Sequence, residues 1–186
     1  MFKNGLTILV FGFSSLVKDI LIENAKRPGI TFSVIVTESR PNCEGYSLCE
    51  ILLKNGIPVK LILDSAIALA IEEADFVLDG AEAVVENGGI INKLGTYTCA
   101  LCAKSLNKPL YIVTQSFKFL RIYPLSQKDL KGLVQKEKFE LFKGAKLPKE
   151  IDLISPMCDY TPPELITLLV TDLGMFTPSA VSDELI

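Results

Sequence analysis

The sequence contains no histidine and no tryptophan, and the missing histidine narrows the chemistry that the chain can support. Histidine is the commonest metal ligand and the usual proton donor or acceptor near neutral pH, so sites that depend on imidazole are excluded. The five cysteines are an odd number without regular spacing, which is typical of reduced thiols. Cys99 and Cys102 lie in an apolar helical stretch, and we interpret them as core residues rather than a redox or zinc pair. We expect no metal and no cofactor.

Long apolar runs are also missing. No run approaches the ~18 residues of a membrane span. The run Leu6–Phe13 contains Thr7 and Gly12 and is followed by no cleavage site, so a buried strand explains it better than a secretory signal. The net charge is −3, and the lysines between Lys128 and Lys149 are mixed with acidic residues, as on a solvated face. We predict a cytoplasmic protein that binds neither membrane nor nucleic acid.

Short apolar runs alternate along the chain with stretches of helical period. Runs that are apolar nearly throughout predict strands covered on both faces, as in a parallel sheet between helices. They are Thr7–Phe11, Thr31–Val36, Val59–Leu63, Phe76–Leu78 and Leu110–Thr114. Between them, apolar residues at i, i+3 and i+4 predict helices at Leu16–Ala25, Ser47–Asn55, Ser65–Glu73 and Thr96–Leu106. Asp64 and Ser65 are expected to cap the third helix, and Gly95 and Thr96 the fourth. The pattern predicts an α/β, Rossmann-like three-layer domain with a mostly parallel central sheet.

The chain is less regular after residue 120. Residues 120–160 are expected to form an insertion, and Glu164–Asp172 predicts a final helix that ends at Gly174. Apolar residues occupy more than one face of this helix, which indicates either a subunit interface or a helix packed between the sheet and the insertion. The interface candidates are Tyr160, Leu165, Leu168, Leu169 and Phe176, with Met175, Phe117 and Phe119 as further apolar contacts.

Polar connections follow the second, fourth and fifth predicted strands, at the edge where open α/β sheets bind ligands. The longest runs from Asp79 to Lys93 and contains Glu82, the Gly88-Gly89 pair and Asn92. Lys93 lies just before the helix start at Gly95-Thr96, and a lysine beside free N–H groups is suited to a phosphate. A loop with paired glycines and a lysine is equally consistent with a structural turn.

The segment Gly80–Thr96, with the sequence GAEAVVENGGIINKLGT, resembles the signature loop of a known family. That family contains the regulatory subunits of translation initiation factor 2B and isomerases of methylthioribose 1-phosphate and ribose 1,5-bisphosphate. Further stretches are similar to the alpha subunits of the family: Asn107–Tyr111, Ser116–Phe119, Asp159–Pro162, Leu165–Leu169, Thr171–Gly174 and Thr177–Ile186. The resemblance runs from about Asn4 to the last residue and is weakest between residues 125 and 155.

The resemblance implies that the isomerases use a cysteine after the first strand and an aspartate at the head of the signature loop as acid and base. Gly12 and Glu82 stand at these positions. Glycine carries no transferable side-chain proton, and a glutamate carboxylate lies one methylene further out, whereas general acid–base catalysis needs contacts of about 2.6–3.2 Å. We therefore predict no catalytic residues and a protein that is not an enzyme; a sugar-phosphate isomerase is the alternative hypothesis.

Sugar-phosphate binding stays open, because it needs only complementary donors and charge. The candidate ligand-binding residues are Glu82, Asn92, Lys93, Gly95, Thr96 and Arg40. The alternatives are a local Glu82–Lys93 ion pair that braces the loop, and a surface turn at Arg40 that Pro41 makes rigid.

The resemblance also implies partners. It indicates a regulatory subunit of the guanine-nucleotide exchange factor for translation initiation factor 2, which forms a homodimer and contacts the beta and delta subunits in a decamer. Phosphorylated initiation factor 2 is sensed in this family mainly through N-terminal helical domains. Because the sequence starts at the first strand, we expect residues 1–186 to be the C-terminal domain alone, without that helical domain of about a hundred residues.

Overall fold

The computed structural model describes residues 2–130 and 156–181 and has eleven strands and four α-helices in these ranges. The strands are β1 (Leu6–Val10), β2 (Phe32–Thr37), β3 (Val59–Ile62), β4 (Phe76–Gly80), β5 (Ala83–Val85), β6 (Ile90–Lys93), β7 (Leu110–Val113), β8 (Phe119–Leu120), β9 (Cys158–Thr161), β10 (Leu168–Thr171) and β11 (Gly174–Phe176). The helices are α1 (Ser15–Ala25), α2 (Gly45–Lys54), α3 (Ile67–Glu73) and α4 (Thr96–Ser105). None of the helices described is long and apolar enough to cross a membrane.

Seven strands form the central sheet, in the order β11-β10-β7-β4-β1-β2-β3. All neighbours are parallel except β10 and β11, and Leu9 of β1 lies opposite Ile35 of β2 and Val77 of β4. The chain builds outward from β1 to β3 and then crosses to β4 on the other side. This reversal makes the carboxyl ends of β1 and β4 a topological switch point, the place where sheets of this type bind ligands.

Two apolar layers cover the faces of the central sheet. On one face Leu9, Ile35 and Val77 pack with α3 and α4; on the other, Ile8 and Val34 pack with α1 and α2. Successive strand residues point to opposite faces, so strands that are covered on both sides must be apolar throughout. The predicted three-layer architecture is confirmed. Cys99 and Cys102 belong to the α4 layer, as expected for core residues.

The expected cap of the third helix is wrong. Asp64–Ala66 forms a 3₁₀ turn, α3 begins at Ile67, and no side chain caps it. The Asp64 carboxylate accepts hydrogen bonds from the backbone N–H groups of Ser39, at 2.8 Å, and Arg40, at 2.6 Å. Asp64 therefore fixes the backbone of the connection after β2, and the local sequence does not predict this long-range contact.

The predicted loop Asp79–Lys93 contains two strands of a second sheet, whose order is β8-β5-β6-β9. β5 and β6 form an antiparallel hairpin, with Ala83 opposite Ile91. A small core that includes Val85, Leu130 and Tyr160 covers one face of this sheet. The hairpin fixes the position of Lys93 at the end of β6, which matters for the site described below.

The predicted final helix is also wrong. Pro163–Leu165 is a 3₁₀ turn, β10 follows it, and Gly174, with φ 138°, begins β11 rather than ending a helix. Leu168–Val170 pair with Tyr111–Val113 of β7, so a place at the sheet edge overrides the helical pattern of the segment. The predicted insertion at 120–160 lies largely outside the described residues, as do the lysines from Lys131 to Lys149.

Candidate functional site

The carboxyl ends of β1, β2 and β4 are packed so closely that glycine is required there. Gly12 has φ 66°, and a Cβ at this position would lie 2.7 Å from Ser39 Oγ. A Cβ at Gly80 would lie 2.5 Å from Ser14 Oγ. The Gly12 N–H donates to Thr37 Oγ1 at 3.0 Å. The side chain of Ser39 thus occupies the space that a side chain would need at the position where the isomerases of the resembled family carry a cysteine.

Lys93 links three elements at this edge of the sheet. Its ammonium donates to the carbonyl oxygen of Phe13, at 3.2 Å, and forms an ion pair with the Glu44 carboxylate at the start of α2. Burial lowers the pKa of Lys93, whose side chain is 28% exposed. The Glu82–Lys93 ion pair, which was the alternative to ligand binding, is contradicted, because Glu44 is the ion-pair partner of Lys93.

Glu82 lies on the solvent side of the site. It is exposed, and its carboxylate has no hydrogen bond or ion pair with any residue in the ranges 2–130 and 156–181. Its negative charge still interacts electrostatically with the thiol of Cys158, a residue that lies opposite Lys93 in the β6–β9 pair. Burial, together with the carboxylates of Glu82 and Asp159, raises the pKa of the Cys158 thiol, and Lys93 opposes this shift. The thiol is therefore protonated at neutral pH.

The start of α4 already has an anion. The Asp159 carboxylate accepts hydrogen bonds from the N–H groups of Gly95, at 2.6 Å, and Tyr97, at 3.1 Å. Asn92 donates to Thr96 Oγ1 at 3.0 Å, and both side chains are buried. Asn92, Gly95 and Thr96 thus form a satisfied internal network, and a phosphate at this helix start would have to displace Asp159. Lys93 and Glu82 lie outside this network.

Two buried carboxyl groups lie beneath the start of α4. Asp79 is 2% exposed; its Oδ1 accepts the Gly80 N–H at 2.7 Å, and its Oδ2 has no partner among the described residues. Burial raises the pKa of Asp79 well above its ordinary value, and the neighbouring Asp159 adds to the shift. Burial also raises the pKa of Asp159, to about 6. These groups are missing from the predicted site, although a carboxylate inside an apolar strand is a signal that could have found Asp79.

Arg40 lies on the β2–α2 connection, which also carries Glu44. Its backbone is fixed by Asp64, and its guanidinium Nε contacts Glu38 Oε2 at 3.2 Å. The same Glu38 oxygen accepts from Tyr46 at 3.3 Å. The backbone contacts agree with the structural-turn interpretation, while the side chain is 66% exposed.

The Gly88-Gly89 pair is explained by packing. A Cβ at Gly88 would lie 2.0 Å from the carbonyl oxygen of Pro178, and one at Gly89 would lie 2.6 Å from the ring of Tyr160. The glycines let the C-terminal segment lie against the hairpin. The structural-turn interpretation of this pair is therefore favoured over ligand approach.

The predicted interface residues fall into two groups. Tyr160 and Leu169 are 2% and 0% exposed and belong to the core, so their prediction as surface contacts is wrong. Leu165, Leu168 and Phe176 are half-buried. Leu169 is buried because its segment is a strand pair at the edge of the central sheet, not a helix with two apolar faces, and Tyr160 is buried in the small core of the second sheet.

Exposed apolar side chains lie instead beside β11, the edge strand. Phe117, Leu173 and Met175 are 75%, 60% and 68% exposed. Asp172 accepts hydrogen bonds from the N–H and Oγ of Ser116, at 2.7 and 2.8 Å, which brings Phe117 next to Leu173. We call these three residues the β11 edge patch. Only Met175 and Phe117 among them had been singled out from the sequence.

Comparison with known proteins identifies the family. A family model described as the initiation factor 2 subunit family matches residues 1–178. The chain belongs to the initiation factor 2 subunit family. It is 50% identical over 190 residues to translation initiation factor eIF2B subunit alpha of Dictyostelium discoideum, covering 99% of this chain and 59% of that protein. It is 38% identical over 185 residues to the subunit of the same name in Caenorhabditis elegans, covering 100% of this chain and 59% of that protein.

The family's solved structures have the same fold. The structure of translation initiation factor eIF-2B from Pyrococcus horikoshii OT3 matches with a TM-score of 0.82 and 27% identity, over 95% of this chain and 60% of that chain. The chain spans about three-fifths of the length of the curated alpha subunits that it matches.

Proposed function

We propose that this chain is the C-terminal region of the regulatory alpha subunit of the guanine-nucleotide exchange factor for translation initiation factor 2. The observation that carries the proposal is the 50% identity, over 99% of the chain, to a protein named eIF2B subunit alpha. The chain acts in the cytoplasm by assembly with other subunits and not by catalysis.

The backbone at Gly12 supports a non-catalytic role. Its left-handed φ of 66° and its contact with Ser39 leave no room for a side chain that transfers protons. The thiol of Cys158, near Glu82, is the feature that a surviving isomerase would use. Incubation of the full-length protein with ribose 1,5-bisphosphate tests this point: we expect no turnover. Turnover that disappears in Cys158→Ser would establish the isomerase alternative.

Assembly is proposed to use the β11 edge patch. Exposed apolar side chains beside a strand edge that pairs with no other described strand are suited to a subunit contact, because both apolar surface and backbone groups are available there. We propose that this edge forms the homodimer, and that neighbouring surface contacts the beta and delta subunits. Binding of phosphorylated initiation factor 2 is proposed to depend mainly on the part of the full-length subunit that precedes this domain.

Sedimentation across micromolar concentrations tests the homodimer. We expect the wild-type chain to dimerise and Met175→Asp to weaken the dimer by at least tenfold in Kd, since a buried charge opposes association. Leu69→Asp is the matched control, because Leu69 is 73% exposed on α3, the helix that connects β3 to β4 and is not part of the β11 edge patch. A monomer at all concentrations, or equal effects of the two variants, would refute the patch as the dimer surface.

A sugar phosphate is proposed to bind at the carboxyl edge of the sheet, with Lys93 as the cation. The supporting observations are the position of Lys93 above the β1–α1 connection and the exposed Glu82 carboxylate, which is suited to sugar hydroxyl groups. Ribose 5-phosphate should raise the melting temperature of the wild-type chain by mass action on the native state. Lys93→Met should abolish the rise; no rise at saturating ligand would rule out the site.

A further inference from the structure

Glu44 lies where an anionic ligand of Lys93 would have to bind. The Lys93 ammonium has two partners among the described residues, the neutral carbonyl oxygen of Phe13 and the Glu44 carboxylate. Of these only Glu44 carries the charge that a phosphate would also supply. A phosphate on Lys93 must therefore displace Glu44 or bind against its negative charge.

The Glu44 side chain is free to leave without cost to its helix. Glu44 is the residue at the N-cap of α2, but its side chain makes no capping hydrogen bond. Its carbonyl oxygen accepts the Leu48 N–H at 3.4 Å, a backbone contact that does not involve the carboxylate. The Glu44 side chain is 36% exposed, so solvent can take over the hydrogen bonds of its carboxylate when it turns away from Lys93.

The surroundings of Lys93 make the exchange selective for anions. The Lys93 side chain is largely buried, so bulk water reaches its ammonium poorly. When the Glu44 carboxylate leaves, another anion is therefore a better replacement than water. Glu38, the other carboxylate on the β2–α2 connection, is held by Arg40 and Tyr46 and does not compete. Glu44 is thus the side chain on this connection that is paired with the cation of the site.

We propose that Glu44 is an internal competitor for Lys93 that sets the affinity of the site for phosphorylated ligands. In the free protein its carboxylate occupies the ammonium in place of a ligand phosphate, and binding proceeds by exchange of one anion for the other. This inference rests on the proposed sugar-phosphate site and names the residue that regulates it.

Calorimetric titration with ribose 5-phosphate tests the exchange. Glu44→Gln keeps the size of the side chain and removes its charge, and we expect roughly a five- to tenfold lower Kd than in the wild-type chain. Glu50→Gln is the matched control: Glu50 is exposed on the same helix and is not paired with Lys93, so it reports the effect of net charge alone. In a Lys93→Met background, Glu44→Gln should have no effect.

A second readout does not need the ligand. Acetic anhydride should label Lys93 several-fold faster in Glu44→Gln than in the wild-type chain, as followed by mass spectrometry, because the carboxylate no longer shields the amine. Equal ligand affinity of wild type and Glu44→Gln, with binding still lost in Lys93→Met, would overturn the role of Glu44 and leave the proposed site in place. Absence of ribose 5-phosphate binding in both the wild-type chain and Glu44→Gln would overturn the role of Glu44 and the proposed site together.

Discussion

Replacing Asp159 by asparagine should flatten the pH dependence of folding stability. Asp159 is 6% exposed, and burial raises its pKa from 3.8 to about 6. One pKa unit corresponds to 1.36 kcal/mol, so a shift of about two units amounts to roughly 3 kcal/mol. Because the folded-state pKa is raised, this stability is fully present below about pH 4 and is lost as the pH rises through 6. An asparagine at this position stays neutral at every pH, so the variant does not lose this stability as the pH rises.

The same substitution weakens the cap of α4. The Asp159 oxygens accept the N–H groups of Gly95 and Tyr97, and loss of such a cap costs about 0.5–2 kcal/mol. This cost is nearly independent of pH, so the two effects can be separated. We expect Asp159→Asn to be less stable than wild type near pH 4, and to gain up to roughly 3 kcal/mol relative to wild type by pH 7.

Urea unfolding at half-unit steps from pH 2.5 to pH 8 measures this difference. Asp172→Asn is a control of opposite sign, because hydrogen bonds from the Ser116 N–H and hydroxyl lower the pKa of Asp172. The stability that Asp172 contributes is present above its unfolded-state pKa and is lost as the pH falls. A constant difference between Asp159→Asn and wild type across the pH range would refute the assignment of a raised pKa to a buried Asp159.

Two further substitutions test the close contacts at the carboxyl edge and at the hairpin. Gly12→Cys should destabilise the chain by about 1–3 kcal/mol in urea unfolding and confer no isomerase turnover, because φ is 66° and the new Cβ meets Ser39. Adding Ser39→Gly to this variant should recover part of the lost stability. Full stability of Gly12→Cys alone would contradict the contact with Ser39. Gly88→Ala should lower the free energy of unfolding more than Gly56→Ala does. Both glycines have positive φ, but of the two only Gly88 would place its new Cβ against a backbone oxygen, that of Pro178, at 2.0 Å. Equal losses of stability in the two variants would show that the C-terminal segment does not lie against the hairpin.

Periodicity predicted five of the six parallel strands of the central sheet, and the helices between them, because those signals are local. Strand β2, for example, carries Ile35 on one face and Val34 on the other, and the continuous apolar run reports this directly. The segment Glu164–Asp172 misled for the same reason: Leu165, Leu168 and Leu169 fit a helical period, but pairing with β7 decides the structure. The strands β5 and β6 were missed because they lie inside the polar, glycine-containing segment Asp79–Lys93, which was interpreted as a single connection.

The site was predicted less completely, because its geometry depends on contacts between distant parts of the chain. Lys93 was identified from its loop, whereas its partner Glu44 is 49 residues away. Asp159, which fills the start of α4, is 64 residues from Gly95. No local pattern announces such contacts. Lys93 and Glu44 come together only in the folded chain, in which the β2–α2 connection and β6 lie at the same edge of the central sheet.

The most direct test of a binding site without catalysis is a phosphorus NMR time course of ribose 1,5-bisphosphate with the protein. We predict that the ligand resonances shift or broaden with the wild-type chain and not with Lys93→Met, and that no new resonance grows over hours. New resonances of a ketose bisphosphate, growing in proportion to the protein added, would contradict the account.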